Sequence, residues 1–203
     1  MNQPPIILYG NRQSQPTARV ALYLSMAGIP YEFRKVDLRD GARPPPEIQS
    51  RGHFGMVPVL VQGNTTLAVS MVILTWLAEQ TGQFGAVEPE ERWQIAEWMG
   101  WIADGLLALQ RSRAARVLNW DASVMSWWDG RSMTALGILD GALKHSTFLV
   151  GGRPTIADIA AFPLIDLIDE AGITLADWPA VGVWYARMLA LPGCRRHYDL
   201  LPE

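Results

Sequence analysis

The spacing of hydrophobic positions differs between the two halves of the chain. In the first half, short apolar runs at 6–9 and 57–61 and an alternating run at 31–36 predict β-strands. Between the first two strands, apolar positions three and four residues apart predict a helix over 16–26, which Gly28 is placed to end. This strand-helix-strand order predicts a βαβ unit with parallel strands.

A proline-led strand and a hairpin follow in the sequence. Pro58 interrupts an apolar run and is therefore expected to open its strand, since proline cannot donate to a sheet ladder. Gly63-Asn64 lies between two β-prone runs, which is typical of a hairpin turn. Ser70 directly precedes an amphipathic helical pattern, where we expect its hydroxyl to cap the helix. With a short helix near 47–50, these elements predict a small α/β layer structure.

The second half contains helical patterns and no convincing strand. The patterns run over residues 90–116, 120–145, 155–170 and 179–191. Six of the nine tryptophans fall within one third of the chain, and we expect them to form a large helical core; they stand at positions 93, 98, 101, 120, 127 and 128. We therefore predict an α/β domain over 1–81 and an all-α helical-bundle domain over 88–203.

Composition excludes several function classes. A net charge of −3 with 18% charged residues gives no reason to bind nucleic acid. No apolar run is long enough to span a membrane, and the first residues lack a secretion signal, so we expect a cytoplasmic protein with no membrane partner. Cys194 is the single cysteine, and His145 and His197 have no ligand spacing, so no metal is expected and both histidines are predicted at a surface or interface.

A capping box is predicted at Thr155-Ile156-Ala157-Asp158, just after Pro154. The threonine hydroxyl can accept a backbone amide of the first turn, and the aspartate can accept the threonine amide in return. Such a box is a folding device and by itself indicates no function.

Four features in this order and spacing together resemble the cytosolic glutathione transferases. They are the Leu8-Tyr9 strand with Ser14-Gln15-Pro16, the Met56-Val57-Pro58 strand start, Ser70 at a helix N-terminus, and the Pro154 to Asp158 segment. The serine segment is most similar to the serine-type, theta-like members and their bacterial relatives. The resemblance covers essentially the whole chain and implies a thioredoxin-like N-terminal domain, an all-helical C-terminal domain, glutathione as co-substrate, a homodimer and a role in detoxification.

The resemblance implies that Ser14 activates glutathione. The tripeptide attacks as its thiolate, whereas a free thiol with a pKa of about 8.5 is mostly protonated at neutral pH. Lowering that pKa by two units requires about 2.7 kcal/mol of preferential stabilisation of the anion. A hydroxyl donor and the positive end of the helix beginning near Pro16 are suited to provide it. The alternative is that Ser14 is a plain helix cap.

The glutathione-binding residues implied by the resemblance are Gln15, Arg43, Met56, Val57, Pro58, Val69 and Ser70. In the family, the proline is cis, the backbone of the preceding residue pairs with the cysteinyl part, and the serine binds the γ-glutamyl carboxylate. Pro58 as a strand-edge proline and Ser70 as a plain cap are the alternatives. Family members usually have polar residues where this chain has Val69 and Met56, and each change removes a contact worth about 1.5–3 kcal/mol.

The resemblance places the second substrate, a small hydrophobic electrophile, between the two domains. Its candidate contacts are Arg12, Trp101, Asp104 and Arg111. An arginine facing that cleft would favour an anionic acceptor, whereas tryptophans at helical spacing are usually core residues.

Three functions other than glutathione transfer are alternatives for such a chain. A glutathione-dependent peroxidase or disulfide reductase would use the same thiolate. A non-catalytic scaffold for protein interaction is favoured by the apolar residues at 56 and 69. A thioredoxin-type oxidoreductase is excluded, since the loop over 10–16 contains no cysteine.

Overall fold

A computed structural model describes residues 4–37, 46–49 and 54–201. The chain divides into two compact units, one formed by Met1–Gln83 with Pro192–Glu203 and the other by Phe84–Leu191. The described residues 192–201 thus belong to the first unit, although they fall within the helical domain predicted over 88–203.

The first unit contains a four-stranded sheet in the order β2-β1-β3-β4. The strands are β1 (Ile6–Gly10), β2 (Tyr31–Lys35), β3 (Val59–Gln62) and β4 (Thr65–Ala68). β1 and β2 are parallel, while β3 runs antiparallel to both β1 and β4. The predicted βαβ unit and the hairpin at Gly63-Asn64 are therefore confirmed.

Four helices accompany this sheet in the part of the unit that the structure describes. They are α1 (Gln15–Met26), α2 (Pro46–Gln49), α3 (Ser70–Thr81) and, from the C-terminal segment, α9 (His197–Leu200). α1 packs against α3, and its apolar side chains from Val20 to Leu24 are fully buried. Tyr23 reaches the end of α3, where its hydroxyl donates to the carbonyl of Gln83 at 3.1 Å. Burial of aliphatic side chains between α1, α3 and the sheet provides the main stabilisation of the unit.

The second unit is helical. Its helices are α4 (Pro89–Asp104), α5 (Leu107–Val117), α6 (Ala122–Leu143), α7 (Ile156–Asp166) and α8 (Pro179–Leu189), with two short 3-10 turns at Asp169–Ala171 and Leu175–Asp177. The single helix predicted over 90–116 is two helices separated at Gly105-Leu106. None of the described helices combines the length and apolar composition needed to cross a bilayer. The predicted fold class, an α/β unit followed by a helical one, is confirmed.

The predicted capping box at the start of α7 is present and fully buried. One Asp158 carboxylate oxygen accepts the amide and hydroxyl of Thr155, at 2.9 and 3.0 Å. The other oxygen accepts the Leu149 amide and the Trp184 indole N–H, at 3.0 and 2.9 Å. Four donors around one carboxylate compensate its removal from water.

The prediction that six tryptophans form the helical core is wrong. Trp93 and Trp127 are 72% and 57% exposed, and the other four are only partly buried. The core of this unit is formed instead by leucine, isoleucine and alanine of α5, α6 and α7, together with Trp184. Tryptophan is large and carries a polar N–H, so it often covers the edge of a core without being enclosed by it.

Candidate functional site

The strand register brings three segments of the first unit to one end of the sheet. Tyr9 pairs with Val59, and Val59 pairs with Ala68. The chain therefore leaves β1, enters β3 and leaves β4 at the same end of the sheet. The turn before α1, the Val57-Pro58 segment and the start of α3 meet at this end of the sheet. The structure therefore brings together, as expected from the sequence, Ser14, Val57, Pro58, Val69 and Ser70.

Ser14 is the N-cap of α1. Its hydroxyl oxygen accepts the Thr17 amide at 3.2 Å, and its own amide donates to the carbonyl of Asn11 at 3.0 Å. Within residues 4–37, 46–49 and 54–201, no acceptor takes the hydrogen of the Ser14 hydroxyl. The cap therefore leaves one donor without an acceptor among these residues, at a half-buried position beside the positive end of α1.

The turn that ends in Ser14 is held from two directions. The Asn11 side chain donates to the carbonyl of Val36 at 2.9 Å and accepts the Gln13 amide at 2.9 Å. On the other side, the His197 ring nitrogen Nε2 lies 2.7 Å from the carbonyl oxygen of Arg12. His197 is 1% exposed, so of the two positions predicted for it, a surface or an interface, the surface is wrong. A return of the C-terminal segment to the first unit has no local sequence signal.

Val57-Pro58 precedes β3, and the peptide bond between these residues is cis, as the resemblance implies. Pro58 is buried, and Val59 begins the ladder with β1 and β4. Met56 is 58% exposed, so its thioether presents an apolar surface where the family has a polar residue.

The start of α3 differs from the predicted cap by one residue. Val69 is the N-cap, because its carbonyl accepts the first helical amide, that of Ile73, at 3.1 Å. Its φ of 69° lies in a region that a β-branched residue rarely adopts, which costs about 1–3 kcal/mol. Ser70 is instead the first helical residue, and its hydroxyl turns toward α1.

Arg19, which the sequence analysis did not select, lies behind Ser70. Its guanidinium donates to the Ser70 hydroxyl at 3.4 Å, and the side chain is 5% exposed. Burial lowers the pKa of Arg19 to about 10, which leaves it charged at neutral pH. An arginine within the apolar run Ala18 to Leu24 was the signal that could have identified it. The structure thus adds a positive charge to the N-terminus of α3.

The remaining candidates are distributed over both units. Gln15 is buried in the first turn of α1, Arg12 lies in the preceding turn, and Arg43 lies outside the described residues. Trp101 packs edge-on against Trp98, with ring centroids 5.4 Å apart. Asp104 at the end of α4 and Arg111 in α5 are exposed.

Metal ligation has no structural support in the described part of the chain. No group of three or more His, Cys, Asp or Glu side chains converges there.

Comparisons with known proteins agree with this geometry. The family models of the glutathione S-transferase N-terminal and C-terminal domains match residues 8–85 and 129–192. The chain is 30% identical over 198 residues to glutathione S-transferase theta-2 of Rattus norvegicus, covering 92% of this chain and 81% of that one. It is 28% identical over 187 residues to the disulfide-bond oxidoreductase YfcG of Escherichia coli (strain K12), covering 86% of each.

The fold is also similar to that of a solved structure. The crystal structure of a glutathione S-transferase from Pseudomonas fluorescens Pf-5 superimposes with a TM-score of 0.89 at 26% identity, covering 96% of this chain and 99% of that one. Both halves of the chain and their order therefore agree with one family. The chain belongs to the glutathione S-transferase family.

Proposed function

We propose that this protein is a glutathione transferase that adds the glutathione thiolate to a small electrophilic, hydrophobic substrate. The observation that supports this most directly is the Ser14 hydroxyl, whose oxygen caps α1 and whose hydrogen no described residue accepts. A thiolate placed at the end of the sheet would meet both that hydrogen and the positive end of α1.

The chemistry required of Ser14 is modest. By accepting the Thr17 amide, the hydroxyl oxygen becomes a stronger donor through its own hydrogen, since hydrogen bonds in a chain polarise one another. A hydrogen bond to a charged group is worth about 1.5–3 kcal/mol, which is the stabilisation needed to lower a thiol pKa by one to two units. The thiolate then attacks the electrophilic carbon, forms the C–S bond and displaces the leaving group with its electron pair.

Glutathione is proposed to lie across the end of the sheet where β1 and β4 end and β3 begins. The backbone of Val57 would pair with the cysteinyl part as an added strand does. The γ-glutamyl carboxylate would bind at the N-terminus of α3 through Ser70, with the charge of Arg19 behind it. Arg19 thereby offsets the polar contacts that Val69 and Met56 do not make. Gln15 and Arg43 remain proposed further contacts.

The second substrate is proposed to involve Arg12, Trp101, Asp104 and Arg111. A homodimeric, cytoplasmic enzyme of detoxification is the corresponding biological proposal, which rests on the family assignment.

The proposed function is tested by the pKa of the bound thiol. Ultraviolet difference spectra of the glutathione complex, recorded against pH, report the thiolate directly. We expect a pKa about two units below that of free glutathione for the unmodified protein, and an increase of about 1–2 units in Ser14→Ala. Ser14→Thr keeps the hydroxyl and serves as the matched control. An unchanged pKa in Ser14→Ala would contradict the role of Ser14, and absent glutathione binding at several millimolar would leave the scaffold as the better proposal.

A second candidate is reduction of disulfides, favoured by the similarity to the E. coli disulfide-bond oxidoreductase. The same thiolate would attack one sulfur of the disulfide, forming a mixed disulfide and releasing the other sulfur as a thiol. A second glutathione thiolate would attack the glutathione sulfur of the mixed disulfide, releasing the remaining substrate sulfur as a thiol. The two glutathiones would leave joined as oxidised glutathione. Comparing turnover of 1-chloro-2,4-dinitrobenzene with that of a glutathione-coupled small disulfide decides between the two activities.

A further inference from the structure

We infer that the short C-terminal helix α9 belongs to the glutathione site, where His197 is a positioning residue for Ser14. This inference rests on the proposed role of Ser14 in stabilising the thiolate. It concerns the carbonyl of Arg12, two residues before Ser14 in the turn that connects β1 to α1.

The hydrogen bond between His197 and this turn has one possible direction. A carbonyl oxygen only accepts, so Nε2 of His197 must have the hydrogen that it donates to Arg12 over 2.7 Å. Because the imidazole is 1% exposed, water does not replace this donor when the bond is lost. The carbonyl of Arg12, and with it the direction of the turn, therefore depends on His197.

Tyr198 adds three contacts to the same turn. Its carbonyl accepts from the Arg12 guanidinium at 3.3 Å, and its ring centre lies 5.3 Å from the Arg12 guanidinium carbon. Its hydroxyl donates to the Gln13 side-chain oxygen at 3.2 Å. Two consecutive residues of α9 therefore hold two consecutive residues of the turn, directly before Ser14.

The segment that contains α9 is itself fixed to the first unit. Tyr31 at the start of β2 donates its hydroxyl hydrogen to the carbonyl of Leu200 at 3.2 Å, and Ser25 in α1 donates to the carbonyl of Gly193 at 2.6 Å. Leu200 and Leu201 are buried. At Gly193 the φ is 73°, and a Cβ would lie 2.4 Å from the carbonyl oxygen of Ser25. These anchors make α9 a rigid support.

Ser14 requires such support because thiolate stabilisation depends on where its oxygen lies. A displacement of about 1 Å at a reacting or stabilising group is enough to cost on the order of 10²-fold in rate. Asn11 fixes one side of the turn through Val36. With His197 removed, the other side loses its buried donor, and the Ser14 hydroxyl no longer has one preferred direction.

The experiment compares three variants by the pKa of bound glutathione thiol, by kcat and KM, and by calorimetric glutathione affinity. In His197→Ala we expect a rise in thiol pKa of about 0.5–1 unit and a roughly tenfold fall in kcat, with glutathione affinity changed less than about twofold. His197→Gln offers an amide donor at a similar reach and should recover most of both values. Ser25→Ala removes one of several anchors of the same segment, a hydrogen bond 2.6 Å long that lies away from the turn. Because the Tyr31 bond and the buried Leu200 and Leu201 remain, this variant should change both values far less than His197→Ala does.

The outcomes separate this inference from the proposed function. Ser14→Ala raising the thiol pKa while His197→Ala leaves it unchanged would overturn the role of His197 and retain that of Ser14. Equal effects of Ser25→Ala and His197→Ala would reduce α9 to general structural support and would also overturn it. Should His197→Ala unfold, Tyr198→Phe decides, since it removes only the hydroxyl donated to Gln13. A smaller pKa rise with an unaltered melting temperature supports the inference, and no rise contradicts it.

Discussion

The N-termini of α7 and α1 are both capped by a side-chain hydroxyl, but the two hydroxyls differ in whether they also donate their hydrogen. At α7, the hydroxyl of Thr155 accepts the Ala157 amide and donates its hydrogen to Asp158. At α1, the Ser14 hydroxyl accepts the Thr17 amide, and no described residue accepts its hydrogen. The first cap is saturated and buried, whereas the second is half-exposed and keeps a donor. Their difference separates a folding device from a candidate binding site.

The start of α3 belongs with α1 in this comparison. Its cap residue, Val69, has no side-chain hydrogen bond to the helix and a strained backbone, and a buried arginine lies behind the next residue. Both helix N-termini at this end of the sheet therefore combine positive partial charge with nearby polar groups, the Ser14 hydroxyl at α1 and the buried Ser70–Arg19 pair at α3. Saturated helix ends should respond to mutation mainly in stability, and unsaturated ones mainly in ligand binding.

The largest effect is expected from Asp158→Ala. It leaves the buried donors of Leu149, Thr155 and Trp184 without their acceptor, which should lower the free energy of unfolding by about 3–5 kcal/mol. Urea denaturation measures this. Asp158→Asn keeps the shape and one acceptor oxygen and should cost less. A loss below 1 kcal/mol would show that the closed cap contributes little.

The two capping hydroxyls provide a direct comparison. Thr155→Ala should cost about 2 kcal/mol of stability, because it removes both a cap and a buried bond to Asp158. Ser14→Ala should cost only about 1 kcal/mol. Activity should show the reverse order once both variants are assayed well below their melting temperatures. A Thr155→Ala protein that is folded but less active than Ser14→Ala would contradict this expectation.

Arg19→Met should weaken glutathione binding about tenfold, because it removes the charge behind Ser70 while keeping most of the buried apolar stem. Calorimetry with glutathione measures the change. Arg19→Lys keeps the charge and is the matched control. Its glutathione affinity should lie between that of the unmodified protein and that of Arg19→Met. Equal affinity in all three would remove Arg19 from the site.

Val69→Gly should raise the free energy of unfolding by about 1 kcal/mol, since glycine adopts a φ of 69° without strain. Val72→Gly lies in the same helix at an exposed position with ordinary helical geometry, and there glycine should instead lower stability by about 0.5–1 kcal/mol. Thermal denaturation of the pair checks both signs. A destabilised Val69→Gly would mean that the strain is not released.

The smallest effect concerns the capping box at the start of α4, where Glu88 is the N-cap and Glu91 is its partner in the first turn. Glu91 accepts the Val87 amide at 2.8 Å and pairs with Arg153 at 2.7 Å, and these donors lower the pKa of Glu91 to about 2. A lowered carboxyl pKa stabilises the fold above the unfolded-state pKa, near 4.3, and this stabilisation is lost as pH falls toward 2. Glu91→Gln should show a smaller decrease in stability across that window in pH-dependent urea titrations. An identical decrease would contradict it.

Much of the fold could be predicted because its signals are local. Pro58, Gly63-Asn64 and the Thr155 to Asp158 box each use the backbone chemistry of a few adjacent residues, and each is found where the sequence predicts it. The helix cap at Val69 could not be predicted, because its positive φ arises from how β4 meets α3. A valine has no propensity for that conformation.

The parts of the site that were missed depend on contacts distant in sequence. Arg19 meets Ser70 across 51 residues, and His197 meets Arg12 across 185. An arginine or histidine is most often exposed, so sequence alone favours the surface for both. The juxtaposition of Ser14 with Ser70 was expected only because the motif order resembled a known family.

The return of residues 192–201 to the first unit also affects the order in which the protein can be completed during synthesis. The sheet and α1 to α3 are made first, yet the donor that holds Arg12 comes from His197, which is translated after the whole helical unit. A nascent chain that stops before this segment lacks the hydrogen bonds that His197 and Tyr198 make to the turn before Ser14. Catalytic competence of the first unit would then arise only once the later part of the chain has been synthesised and docked.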